Sequence, residues 1–444
     1  MNIQILSVVA LVVVFLLATV LPLNMGALAL AATFFIGVLG LGLTTKQIFA
    51  GFPGDLFVTL VGVTYLFAIA QKNGTVDWLV ERAVRLVRGH VVAIPWVMFL
   101  IAAALTAFGA LGPAAVAILA PVALTFAAQY RINPVMMGLM VIHGAQAGGF
   151  SPISVYGGIV NGLVAKAGLA SGATQIFLAS FAFNLAIAAL LFVIFGGLKL
   201  HNPKGAAPAT EPHPDLASRS LSGHGGTPAT ATVTHPADAA PAGRTPLDLH
   251  RVITLAGLLA LGVGAIAFNL NVGLLAMVVA VALSLLSPKG QKGAIDKVSW
   301  STVLLICGVV TYVEVMQTAG AVTSVGQGIS SIGSPLLAAL MLCFTGAIVS
   351  AFASSTALLG MVIPLAMPFL MQGRVSAVGV IAAIAICTTI VDTSPFSTNG
   401  ALVVANAPEP DRERVLRQLL IYSGVIVAIG PIVAWLVLVV PGWL

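Results

Sequence analysis

The chain has 444 residues, of which 59% are hydrophobic and only 7% charged. A soluble globular domain carries roughly a quarter charged residues, so this composition excludes one and points to a chain that crosses a membrane many times. The net charge of +6 does not argue for nucleic acid, because the basic residues sit in short loops between apolar runs.

Apolar runs long enough for a hydrocarbon core of ~30 Å fall at 3–21, 25–43, 54–72, 134–165 and 172–198. After a central segment they resume at 251–268, 271–287, 299–317, 375–407 and 417–441. The first run lacks a basic start and an obvious small-residue cleavage site, so it reads as a crossing and not as a signal peptide. Two further stretches, 91–128 and 335–372, are interrupted by small residues, "GALGPAA" at 109–115 and "ASSTA" at 353–357. Non-helical backbone at that depth is tolerated only inside protein or beside water. Both are therefore expected to be helical hairpins that enter the membrane and return on the same side.

Ten crossings can be tested against the basic residues. With both hairpins re-entrant, 16 of the 19 Lys and Arg fall on one side, and only Lys46, Lys166 and Arg374 on the other. The richer side is the cytoplasm by the positive-inside rule, and both termini are expected outside. Residues 201–250 hold Pro, Ala, Gly, Ser, Thr and His with few large apolar side chains, the composition of a disordered cytoplasmic linker. His213, His224 and His235 recur every 11 residues there, a pattern read as solvated low-complexity sequence ahead of a metal site. Cys307, Cys343 and Cys387 lie in apolar stretches without zinc spacing, which suits buried packing.

The segments on either side of the linker match each other. "NMGALA" at 24–29 faces "NVGLLA" at 271–276, and "QKNGTV" at 71–76 faces "QTAGAV" at 317–322. "SPISVYG" at 151–157 faces "SPFSTNG" at 394–400, and the spacing stays between 243 and 247 throughout. Five crossings per half is an odd number, so the second copy is expected upside down. The domains are then repeat I at 1–200, the linker at 201–250 and repeat II at 251–444, with broken helices at 134–165 and 375–407. The fold class is an all-α membrane protein of two inverted repeats, each with five crossings and one re-entrant hairpin. Such repeats with broken helices are a transporter signature, with binding near the midplane.

Pro152 and Pro395 each remove a helical N–H, and Gly157 and Gly400 are expected to give the chain unusual backbone angles. Carbonyls, hydroxyls and the Asn399 amide can then ligate a hard cation. Each restarting helix offers its N-terminal amides to an anion. One such break reads equally well as a simple kink, whereas two at matching positions favour a functional pair. Among the acids, Glu314 and Asp392 stand out inside crossings, where a charge needs a partner or a function. Asp392 lies two residues before "SPFSTNG" and is a cation-ligand candidate, with capping of local amides as the alternative. Glu314 suits a structural or interface role, and His143 is a satisfied polar group or a proton carrier.

These residues resemble the ion transporter superfamily that contains the divalent anion–sodium symporters, whose hairpin tips carry Ser-Asn-Thr. Here the second tip reads Ser354-Ser355-Thr356, a near match, while the first reads Leu111-Gly112-Pro113, a departure that puts a first sodium site in question. Over nearly the full chain, "INPVMMGLMVIHGAQAGGFSPISVYGG" and "FASSTALLG…TTIVDTSPFSTNGALVVANAP" resemble the bacterial malonate carrier family, MatC. The resemblance implies sodium-coupled import of malonate or a closely related small dicarboxylate across the inner membrane. It also implies elevator-like motion against a scaffold and a homodimer. No cofactor is expected beyond Na+ as coupling ion.

The substrate candidates are Gly112, Ser151, Ser154 and Tyr156 in the first half-site and Ser354, Ser355, Thr356, Ser397, Thr398 and Asn399 in the second. The Na+ candidates are Ser355, Asp392, Ser394 and Asn399. Tyr156 stands where the second copy has Asn399, so the half-sites differ chemically, the first leaning toward substrate and the second toward the cation. The alternative coupling is by protons through Asp392 or His143. A primary pump lacks support, since no Gly-Lys dipeptide occurs to form the usual phosphate loop. An intramembrane hydrolase pairing Ser151 with His143 fares no better, because the second copy has Ile386 where the histidine should recur.

Overall fold

Runs of Leu, Val, Ile and Ala satisfy their backbone groups within helices, the condition for crossing hydrocarbon. The computed structural model describes residues 3–21, 23–86, 90–169, 172–200, 248–268, 270–288, 292–330, 333–351 and 354–443. Among these the regular structure is entirely helical. Of the linker expected at 201–250, residues 201–247 and the three spaced histidines lie outside the described residues, whereas Leu249 and His250 already begin a helix, just short of the expected boundary.

In chain order the helices are α1 (Ile3–Val20), α2 (Met25–Thr33, continued by a π-helix Phe34–Gly40), α3 (Thr45–Ala50), α4 (Gly54–Lys72) and α5 (Thr75–Leu86). There follow α6 (Ile94–Ala107), α7 (Gly112–Gln129), α8 (Pro134–Gly148), α9 (Val155–Lys166) and α10 (Ala173–Ile194). After residues 201–247 come α11 (Leu249–Ala267), α12 (Val272–Leu286), α13 (Trp300–Thr318), α14 (Ala321–Ser330) and α15 (Pro335–Ser350). The last are α16 (Ser355–Leu370), α17 (Ala377–Ile390), α18 (Thr398–Asn406) and α19 (Glu409–Ala434, continued by a π-helix Trp435–Val439).

Seven helical segments among the described residues have the length and apolar composition of a membrane crossing. Others expected to cross, such as Val272–Leu286, are apolar but shorter. Both interrupted stretches form paired helices, α6 with α7 and α15 with α16. Their small residues fall in the first turn of the returning helix more than in the bend itself. Pro113 is tolerated there because a first-turn N–H has no helical partner to lose. Two features differ from expectation. The last helix starts at Glu409, eight residues earlier than the apolar run suggested, and the short helices α3, α5 and α14 were not foreseen. A search for long apolar runs passes over short helices with mixed faces.

Packing gathers many of the helices into two groups, which meet where α4 lies on α9 and α13 lies on α16. In the first, α2 lies on α13 and α12 on α4, each pair joining the two halves of the sequence. Glycines make these crossings close: a Cβ on Gly26 would lie 2.0 Å from the Leu304 carbonyl oxygen, and one on Gly273 would lie 2.6 Å from the Thr59 backbone. In the second group, α8 packs on α6, α7 and α10, α17 packs on α15 and α16, and α7 meets α18 while α9 meets α16. The faces of α8 and α17 are buried almost all round, which fits helices that lipid does not reach.

Candidate functional site

Both broken helices are rebuilt by the same hydrogen bonds. Ser154 caps α9: its Oγ accepts from Gly157 N at 3.0 Å and lies 2.5 and 2.7 Å from the carbonyl oxygens of Gly149 and Ser151. Ser397 caps α18 with the equivalent set, accepting from Gly400 N at 3.4 Å and lying 2.5 and 2.7 Å from the carbonyl oxygens of Asp392 and Ser394. Gly157 and Gly400 are not in the positive-φ region, contrary to the expected reason for them. They are required by close approach, since a Cβ would lie 1.9 Å from the Ser151 oxygen and 2.1 Å from the Ser394 oxygen.

The break at α18 and the tip of α16 border a cavity of about 390 Å³. Of the candidate residues, Tyr156, Ser354, Ser355, Thr356, Asp392, Ser397, Thr398 and Asn399 line it. Gly112 stands at its edge, where a Cβ would lie 3.6 Å from Asn399 Nδ2 and 3.9 Å from the Tyr156 hydroxyl. Ser151, Ser154 and Ser394 do not line it; they are buried within the breaks, and Ser151 and Ser394 accept from nearby backbone N–H groups. The candidates thus converge from α7, α9, α16 and α18, but three serines serve the backbone.

The chemistry of the cavity follows from its helix ends. Pro113, Ser355, Thr356, Thr398 and Asn399 place the N-termini of α7, α16 and α18 at its wall. Each N-terminus presents unsatisfied amides and about half a positive charge. Neither Leu111 nor Ser354 makes a side-chain cap bond, so those amides stay available to a ligand. Among the described residues no Lys or Arg lines the cavity. Asp392 supplies the one formal charge, and its Oδ1 accepts from Ser355 Oγ at 2.5 Å. Ser350 Oγ extends the cluster at 2.9 Å from Ser355 Oγ. Asn399 is 2% exposed and its Oδ1 has no hydrogen-bond partner, an acceptor that needs a donor or a cation.

Sequence reasoning did not find the opposite wall. Thr19, Asn24, Ser301 and Thr302 face the breaks across the cavity from the first packing group. Asn24 Nδ2 donates to the Ser301 carbonyl and lies 2.9 Å from Ser301 Oγ, while its Oδ1 caps α2. The matching of Asn24 with Asn271 was a visible signal for the cap, but nothing local announced a site.

His143 lies away from the cavity lining and is fully buried. Asn184 Nδ2 donates to the Ser180 carbonyl at 3.0 Å, which leaves Oδ1 to accept from His143 Nδ1 at 2.9 Å. His143 Nε2 then accepts from the Tyr422 hydroxyl at 2.6 Å. A neutral imidazole is satisfied at both nitrogens by these two bonds.

A helical multi-pass chain with facing helix breaks around a polar cavity has the architecture of a membrane carrier. Residues 1–149 match the family model described as dicarboxylate carrier protein MatC N-terminus. The fold is similar to the crystal structure of the Alcanivorax borkumensis YdaH transporter, with a TM-score of 0.59 over 89% of this chain and 88% of that one. The two sequences are 16% identical, so that likeness is one of fold. No curated protein matches the chain. Both similarities are to carriers, and the protein is a transporter and not an enzyme.

Proposed function

We propose that the chain is a sodium-coupled secondary active symporter that imports malonate or a closely related small dicarboxylate. The observation that carries this reading is the convergence of three helix N-termini and Asp392 on one cavity whose described lining residues include no Lys or Arg. Three N-termini supply roughly 1.5 positive charges, and Asp392 removes one. A dicarboxylate of charge −2 would leave such a site strongly negative unless cations enter with it. The Asp392–Ser355–Ser350 oxygens and the unpartnered Asn399 Oδ1 suit a hard cation. The N-terminal amides of α7 and α16 suit the carboxylates. The match of residues 1–149 to a dicarboxylate carrier family supports the substrate class.

The reading includes two inverted repeats, at 1–200 and 251–444, in the inner membrane of a bacterium, with both termini outside and the linker in the cytoplasm. The equivalent hydrogen-bond sets at the two breaks support the repeat, as do the reciprocal pairs α2–α13 and α4–α12. The cavity is bordered by residues 15–25 and 301–305, at the ends of crossings that the basic residues assign to the cytoplasm. The state seen is then inward-open. Transport would move the hairpins and broken helices against the first packing group, and a homodimer would form through that group.

Uptake of labelled malonate into proteoliposomes, with and without an inward sodium gradient, tests the coupling. Uptake that ignores sodium and follows a pH gradient would replace it with the proton-coupled reading. The specific observation behind that second reading is Asp392, a carboxylate at the cavity wall. His143 is the weaker proton candidate, because both its nitrogens are engaged away from the cavity.

A further inference from the structure

A second space lies near the other end of α13. It is a crevice of about 340 Å³ lined by Lys166 at the end of α9, Glu314 and Gln317 on α13, Thr323 on α14 and Pro368 on α16. Lys166 Nζ lies 2.7 Å from Glu314 Oε2 and donates to the Gly51 carbonyl at 3.2 Å. The ion pair therefore ties the helix leaving the first break to α13, the same helix whose Ser301 and Thr302 wall the candidate cavity. Between the two spaces Gly360 of α16 faces Ile306 and Val309 of α13, and a Cβ there would lie 3.2 Å from Ile306 Cδ1. That apolar seam separates the crevice from the cavity.

The repeat spacing shows that this pair has no counterpart. The offset of 243 that carries Ser151 to Ser394 carries Lys166 to Glu409. The offset of 246 that carries Gln71 to Gln317 carries Ala68 to Glu314. In an inverted-repeat carrier the two halves exchange conformations when the site changes sides. Glu409 would then approach Ala68, and no opposite charge would meet it.

We propose that the Lys166–Glu314 ion pair is a one-sided latch that positions the moving helices with the cavity open beside Asn24 and Ser301. This rests on the carrier reading above and adds the residues that set which facing is populated at rest. The pair is half-exposed, with side chains 39% and 36% accessible. Its effect is therefore expected to be a bias of about two- to fivefold in the populations of the two facings, not an absolute lock.

The test uses the full chain with one added cysteine, Thr19→Cys, at the cavity wall. Cys307, Cys343 and Cys387 are buried and give little background. Alkylation by a membrane-impermeant maleimide from the cavity side of oriented vesicles reads the open fraction. Glu314→Gln and Lys166→Gln are each expected to slow labelling about two- to fivefold, and the charge swap Lys166→Glu with Glu314→Lys to restore it. Unchanged labelling in the single variants overturns the proposal, as does slowing that the swap fails to reverse. Labelling needs neither substrate nor coupling ion, so a lack of malonate uptake would sink the functional reading and leave this test readable.

Discussion

Gln146 donates from Nε2 to the Thr389 carbonyl at 2.7 Å, and the two residues are 243 positions apart. That is the spacing between Ser151 and Ser394, so each partner lies five residues before its own break. Under the proposed repeat, the bond joins a residue to the position that matches it in the other half of the chain. The bond also joins α8 and α17, the helices that lead into the two breaks. Gln146→Leu is expected to leave the Thr389 carbonyl without that donor, costing about 1–3 kcal/mol. Differential scanning of purified protein should show a melting temperature lower by a few degrees, and an unchanged value would mean the bond adds nothing.

Ser355 and Asp392 make a sharper claim, because they line the cavity. On the sodium-coupled reading proposed above, Asp392→Asn, which removes the one formal charge among the described lining residues, is expected to lower sodium-driven uptake at least about tenfold, the scale of a charged hydrogen bond. Ser355→Ala keeps the carboxylate, so it should raise the sodium concentration for half-maximal uptake and leave the maximal rate closer to wild type. Initial rates across a sodium series decide this. Equal sodium dependence in Ser355→Ala and wild type would remove Ser355 from the cation site.

The broken helices were legible because their signals are local: Pro152 and Pro395, the paired serines and the following glycines stand within seven residues. The hairpins were legible for the same reason. The roles within the breaks were not, since a serine that caps a helix and one that faces a cavity look alike in a string. Ser154 and Ser397 share a position and a bond set, yet only Ser397 borders the cavity. Thr19, Asn24 and Ser301 were not legible because tertiary packing alone brings them to the site. The short α5 and α14 were not legible because polar residues interrupt their apolar positions, so they form no continuous apolar run.

That difference between the two caps is testable. Ser154→Ala and Ser397→Ala each remove an N-cap, worth about 1 kcal/mol, and both should lower thermal stability by similar amounts. Ser397→Ala should also raise the KM for substrate, whereas Ser154→Ala should leave KM close to wild type. Matching KM changes in both variants would place Ser154 in contact with substrate after all.

Close helix packing gives a contrast within one residue type. Gly26→Ala puts a Cβ 2.0 Å from the Leu304 carbonyl oxygen, where a backbone cannot easily yield. Overpacking of this kind costs about 1–3 kcal/mol, and a smaller yield of monodisperse protein is expected. Gly424→Ala, in α19 with nothing within 4 Å of its Cβ position, should be neutral or stabilising by about 0.5–1 kcal/mol. Loss of folded protein in both variants would show that the close α2–α13 approach is not what sets Gly26 apart.

His143 provides the last test, because its two bonds fix what it can do. Nδ1 donates to Asn184 and Nε2 accepts from Tyr422, which joins α8 to α10 and α19. Tyr422→Phe leaves Nε2 without a donor in a site that water does not reach, at a cost of about 1–3 kcal/mol. A structural histidine predicts a lower melting temperature with the pH profile of uptake unmoved. A proton carrier predicts the reverse emphasis, because losing the Tyr422 donor alters the proton affinity of the ring and shifts the profile. Measuring uptake across pH in Tyr422→Phe therefore separates the two roles, and a displaced profile would return His143 to the coupling mechanism.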